Sequence, residues 1–278
     1  MNLSMTEQFQ YITVRIEVEL SDGGLSTGTG FFFQLCESEG KHIPVVVTNK
    51  HVIAGGTKGT FKITTAKEDG SPNDSKHLDV LIENVESRFI KHPDDGIDLA
   101  VLPIASLIEE AKKKGEKLFY RSFGKGLIPT VDDEAAFTAV EDILMVGYPN
   151  GIWDSVNNLP VFRKGITATH PSKEYNGKSE FMIDAACFPG SSGSPVILYN
   201  VGSYASKTGG TIIGSRIKFL GVLYAGPQHT VSGDMQVVQI PTQNIPVAIS
   251  RIPNNLGNVI KAHKILDFED VFEKQNGQ

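Results

Sequence analysis

The chain has 278 residues, 40% hydrophobic and 21% charged, with 28 glycines and 14 prolines. That is an ordinary globular composition with room for one large or two small domains; it excludes a collagen, a coiled coil and a wholly disordered chain. The formal net charge of −6 offers no basic face for a phosphate backbone, so nucleic acid is not an expected partner.

The longest apolar runs, such as 43–47 and 219–225, fall far short of the ~18 residues of a membrane helix, so no membrane partner is expected. The first eleven residues carry no Lys or Arg and no apolar centre, unlike a secretory signal. Two cysteines, Cys36 and Cys187, are too few for a disulfide framework and read as reduced, buried thiols. Together these give the expectation of a cytoplasmic protein.

Short strands with turn residues between them dominate the pattern. Residues 11–19 alternate, with Ile12, Val14, Ile16 and Val18 on one side and Thr13, Arg15 and Glu17 on the other. Further strands are expected at 28–35, 43–48, 61–65, 78–85 and 99–104. A second group follows at 143–147, 162–169, 181–185, 196–199, 211–214, 219–224 and 235–240. Residues 67–76 and 201–210 read as exposed loops. Helical signal is confined to 105–117 and to a C-terminal stretch, 242–274, broken by Pro246, Pro253 and Gly257. About a dozen strands exceed one small barrel, so two packed β-barrels fit the length better.

Three segments carry chemistry. In Gly190-Ser191-Ser192-Gly193-Ser194-Pro195, small residues let the backbone turn sharply and expose the Ser192 hydroxyl. The amides of Gly190 and Ser192 are then placed to hold one developing oxyanion. A serine needs a base, and His51 stands where the apolar run Val45-Val46-Val47 gives way to Thr48-Asn49-Lys50. A base needs a group to orient it. Asp98 opens the apolar strand Leu99-Ala100-Val101-Leu102, whereas Asp94 and Asp95 read as exposed turn residues. Each segment has a competing reading: a Gly/Ser-rich loop, an exposed loop histidine and a strand-start cap. Their order, His51, Asp98, Ser192, is that of the chymotrypsin arrangement rather than of subtilisin or the α/β-hydrolases.

The blocks Thr48-Asn49-Lys50-His51-Val52, Asp98-Leu99-Ala100-Val101-Leu102 and Gly190-Ser191-Ser192-Gly193-Ser194-Pro195 resemble the three catalytic blocks of trypsin-like serine peptidases. The bacterial HtrA-type branch is the most similar, through Val146-Gly147-Tyr148-Pro149-Asn150-Gly151, Arg163-Lys164-Gly165-Ile166 and a closing strand at Gln239-Ile240-Pro241-Thr242-Gln243-Asn244. The resemblance implies an all-β, double β-barrel fold with a short helical insert at 105–117 and a helical C-terminal tail, without a PDZ domain. The N-terminal barrel, 10–135, would carry His51 and Asp98. The C-terminal barrel, 136–245, would carry Ser192, and 246–278 would be the helical tail.

It further implies a serine endopeptidase with a protein or peptide substrate, no cofactor and no metal. Ala186 would lie at the base of the specificity pocket, and Tyr224, Ala225 and Gly226 on the strand that pairs with the substrate backbone. An Ala/Gly-lined pocket fits a small or medium apolar P1 side chain. Ser191 stands where the digestive branch has the Asp that pairs with a new N-terminus, so an oxyanion loop ordered without such cleavage, or regulated by some other contact, is expected. The alternatives are a serine esterase with the same triad and a catalytically silent, protease-like binding module.

Overall fold

The computed structural model describes residues 3–225, 228–232, 249–253 and 255–276. A short helix, α1 (Met5–Phe9), opens the chain; Ser4 and Glu7 cap it reciprocally, and it buries Phe9. Strand β1 (Thr13–Leu20) follows, with Val14, Ile16 and Val18 buried and Glu17 and Glu19 exposed. That period of two marks a sheet with one face covered.

Strands β2 (Leu25–Ser38) and β3 (Lys41–Thr48) lead into a single helical turn, α2 (Lys50–Ile53). Then come β4 (Gly56–Ala66), β5 (Pro72–Glu83), the turn α3 (Val85–Arg88), β6 (Ile90–Lys91) and β7 (Ala100–Pro103). These strands form one seven-stranded sheet in the order β5-β4-β1-β2-β3-β7-β6. No ladder joins β5 to β6 among the described residues, yet the sheet is rolled. Val80 and Ile82, at one end, share a core with Ala100 and Leu102 near the other. Helix α4 (Ala105–Lys113) lays Leu107 and Ile108 on that core.

A capped helix, α5 (Val131–Ala136), precedes the second half. There β8 (Asp142–Gly147), β9 (Val161–Thr167), β10 (Glu180–Asp184) and β11 (Pro195–Asn200) are followed by a hairpin, β12 (Ser203–Ala205) and β13 (Thr211–Ile213). Next are β14 (Arg216–Ala225), a pair formed by β15 (Gln228–Ser232) and β16 (Ile249–Pro253), and β17 (Leu256–Lys261). The order β10-β17-β14-β11-β8-β9 closes into a six-stranded barrel. Its interior holds Ile143, Met145, Phe181, Val196, Leu198 and Val259. Helix α6 (Asp267–Asn276) ends the described chain.

A third core joins the two. Phe31, Phe33, Val45 and Val47 from the first sheet meet Ile197, Phe219 and Ile260 from the barrel and Phe268 from α6. Neighbours on a strand face opposite ways, so Phe32 enters the first sheet's own core while Phe31 and Phe33 enter the interface. Phe123 stacks on Phe219 across it, with ring centroids 4.8 Å apart.

The fold is thus the all-β, double-barrel type with a helical insert. The helical tail expected over 246–278 is corrected: 256–261 is a barrel strand, and the α-helix starts at Asp267. Val259 and Ile260 are apolar on opposite faces, one in the barrel interior and one in the interface core, a pattern that a strand buried on both sides requires. The loop expected at 67–76 is shorter than supposed, since Ala66 and Thr65 pair with Pro72 and Asn73 on β5. β5 ends the sheet, and an end strand tolerates polar and proline residues. The strand expected at 235–240 and the closing block 239–244 lie outside the described residues. No helix among those described is long and apolar enough to cross a membrane.

Candidate active site

β3 ends at Thr48, and Asn49 is the N-cap of the turn α2 that carries His51. Asn49 is fully buried, and its Nδ2 donates to the Asp98 carbonyl at 2.7 Å. That bond ties the histidine turn to the segment entering β7. The Asp98 carboxylate then holds His51 at two points: Oδ1 accepts from the His51 backbone N–H at 3.1 Å, and Oδ2 lies 2.5 Å from Nδ1. A carboxylate accepts only, so a neutral His51 carries its proton on Nδ1 and keeps the Nε2 lone pair free. The His51 side chain is 49% exposed and that of Asp98 24%.

Asp94 serves a different purpose. Its backbone N–H donates to Nδ1 of the buried His92, its carboxylate accepts from Gly96, and its carbonyl accepts from Lys50 Nζ at 2.9 Å. It shapes the turn leading to Asp98.

Ser192 sits between β10 and β11 on a loop that only glycine permits. Gly193 has φ +87°, and a Cβ there would overlap the Thr29 carbonyl oxygen. Ser191, Gly193 and Ser194 donate their N–H groups to the carbonyls of Phe188, Leu223 and Ser191. Among the described residues, Gly190 and Ser192 have backbone N–H groups with no protein acceptor. The Pro189 carbonyl accepts from Asn150 N at 2.6 Å. A trans peptide points its N–H opposite its C=O, so the Gly190 N–H faces away from Asn150. Ser192 Oγ donates a long 3.4 Å bond to the Tyr224 carbonyl. No hydrogen bond joins Ser192 to His51 among the described residues.

Ala186 is half-buried on the segment leading to the Ser192 loop, next to Cys187, which packs in the barrel interior. Burial pushes the Cys187 thiol up to about 12, so it is a neutral, space-filling group. Tyr224 is half-buried on β14, and its phenol is pushed up to about 12, by burial first and then by Glu180. Ala225 continues that strand, paired with Asn258. Gly226 lies outside the described residues.

The family model of the trypsin-like peptidase domain matches residues 28–202. The chain belongs to the trypsin-like peptidase family. Among solved structures, the HtrA-type protease AlgW, determined with a tripeptide, matches at a TM-score of 0.49 and 15% identity, covering 96% of this chain and 62% of that one. The present chain therefore spans under two thirds of that protein's length. The Rv3671c protease of M. tuberculosis matches in its active form at a TM-score of 0.43 and 14% identity, over 92% of this chain and 78% of that one. Its inactive form gives 0.42 and 16%, over 92% and 86%. No curated protein matches the chain.

Asn49 was not singled out by sequence reasoning, although it lies two residues before His51. A buried amide at a strand end is invisible until its partner, 49 positions away, is known.

Proposed function

We propose that the chain is a serine endopeptidase acting through a His51, Asp98 and Ser192 triad and an acyl-enzyme intermediate. The observation that carries this reading is the two-point hold of Asp98 on His51, at the backbone and at Nδ1. In the reaction, Ser192 Oγ leaves the Tyr224 carbonyl, gives its proton to His51 Nε2 and attacks the peptide carbonyl carbon. Asp98 stabilises the imidazolium that forms. The free amides of Gly190 and Ser192 donate to the tetrahedral oxyanion. His51 then protonates the amine nitrogen as the C–N bond breaks. Water, deprotonated by the same imidazole, hydrolyses the acyl ester and restores Ser192.

The pocket next to Ser192 takes a small or medium apolar P1 side chain, because Ala186 and the neutral Cys187 beside it bring no charge. The strand through Tyr224 and Ala225 pairs with the substrate backbone. This reading divides the chain near residues 135 and 136, with His51 and Asp98 on one side and Ser192 on the other. The second barrel then runs to Lys261 rather than to residue 245. One observation favours a second reading, a silent protease-like binding module: Ser192 Oγ bonds to Tyr224 rather than to His51.

Labelling with a fluorophosphonate separates the two. Wild type is expected to label at Ser192 and to cleave casein or a peptide library after small or medium apolar residues, with Ser192→Ala unlabelled and inactive. Absent labelling and cleavage in the wild type would establish the silent module. Hydrolysis of small esters without any peptide would make the chain an esterase. A P1 profile dominated by Lys or Arg would overturn the pocket assignment.

A further inference from the structure

Thr29 lies in the first half of the chain, on β2, and is fully buried. The β2–β3 ladder begins at Phe31 and Val47, so Thr29 stands beyond the end of β3 and its amide is released from that side of the sheet. The amide is used across the barrel interface: Thr29 N donates to the Ser192 carbonyl at 2.8 Å. The side chain is used there too. Oγ1 donates to the Gly190 carbonyl at 3.0 Å and accepts from Tyr148 N at 3.2 Å and from Ser194 Oγ at 3.2 Å. One hydroxyl has one proton and two lone pairs, and here all are filled. The Thr29 carbonyl accepts from Thr48 Oγ1 at 2.8 Å, three residues before His51.

Two glycines make this approach possible. A Cβ at Gly193 would overlap the Thr29 carbonyl, and one at Gly147 would meet both Ser194 Oγ and Thr29 Oγ1. The surrounding backbone is cleared for a hydroxyl at this point.

We propose that Thr29 is the positioning residue that sets the oxyanion loop, fixing the carbonyls of Gly190 and Ser192 from the opposite barrel so that their amides stay free and aligned. The proposal rests on the peptidase reading above, and it adds a group from the histidine side of the molecule to the control of the nucleophile side. Valine has the shape of threonine without the hydroxyl. Thr29→Val therefore leaves the Gly190 carbonyl, Tyr148 N and Ser194 Oγ without their buried partner while the packing is kept.

The test compares wild type, Thr29→Val and Thr29→Ser, each checked for native near-UV circular dichroism, by steady-state kinetics on a peptide and by hydrogen exchange of the 188–194 segment. Removing an oxyanion donor outright costs about 10²–10³ in kcat, so misaligning the loop should lower kcat about 10–100-fold in Thr29→Val at nearly constant KM. Thr29→Ser keeps the hydroxyl and should recover to within about threefold, since the same three bonds can form. Exchange of the Ser191, Gly193 and Ser194 amides should accelerate in Thr29→Val and not in Thr29→Ser. An unchanged kcat in Thr29→Val, an equal loss in both variants, or unaltered exchange would overturn the proposal. If Thr29→Val does not fold, Ser194→Ala deletes one of the three hydroxyl contacts. A kcat equal to wild type there would likewise overturn it, and a partial loss at constant KM would support it. A wild type that neither labels nor cleaves defeats the peptidase reading by itself, and the exchange comparison then decides whether Thr29 orders the loop.

Discussion

Cys187 shows how one buried atom ties the barrel interior to solution conditions. Its thiol sits beside Gly257 in the barrel interior, and burial raises its pKa from an ordinary 9.0 to about 12. The folded protein therefore keeps a proton that the unfolded chain gives up, so stability from this group is complete below about pH 8 and falls as pH rises toward 12. At pH 10.5 the loss comes to about 2 kcal/mol, taking an unfolded thiol near pH 9. Urea midpoints of Cys187→Ala should consequently fall less steeply than those of wild type between pH 8 and 10.5; parallel curves would show that the thiol titrates normally in the fold. The same burial predicts that iodoacetamide alkylates Cys187 only in the unfolded protein. At this scale His51 and Asp98 stand out in the sequence because each borders an apolar run, and Ser192 because small residues crowd around it. Thr29 and Asn49 do not, because their partners lie far along the chain.

Helix α6 is the element with the widest reach. Phe268 is fully buried and Phe272 nearly so, both in the core between the barrels. The polar side of the helix is used as well. His92, which shapes the turn before Asp98, accepts from Asp94 N through Nδ1 and places Nε2 3.1 Å from the Lys264 carbonyl and 3.3 Å from Asp267. The Glu269 carboxylate accepts from Cys36 N at 2.9 Å, where Cys36 holds a positive φ of 53°. Phe268→Ala should thus cost about 3–5 kcal/mol in urea unfolding, the range for a large aromatic removed from a packed core. A loss below about 1 kcal/mol would mean that the helix is not part of that core. Most strands were readable from alternation. β17 was not, since Pro253 and Gly257 look like breaks in a helix when the strands on either side are unknown.

The whole molecule is held by an interface that is apolar on both sides. Phe31, Phe33 and Phe123 from the first half meet Phe219, Ile197 and Ile260 from the second. A fragment ending at residue 140 should leave the first group bare. It is expected to bind an apolar dye, to self-associate on gel filtration and to show no hydrolysis, while co-expression with residues 141–278 restores a single species. A monomeric, dye-silent fragment would show that the first sheet is self-sufficient.

Length and composition left one large or two small domains open. The chain itself determined the strand content, the turn positions and the three chemical segments, because side-chain alternation and the freedom of glycine are properties of neighbouring residues. Tertiary structure alone decided which face of each strand meets which core and that 256–261 is a strand of the second barrel. It also decided that a threonine 161 positions before Gly190 holds the carbonyl of that glycine. Contacts of that separation leave no periodic mark in a sequence. They exist only once the entropy of closing the chain has been overcome by the core between the barrels.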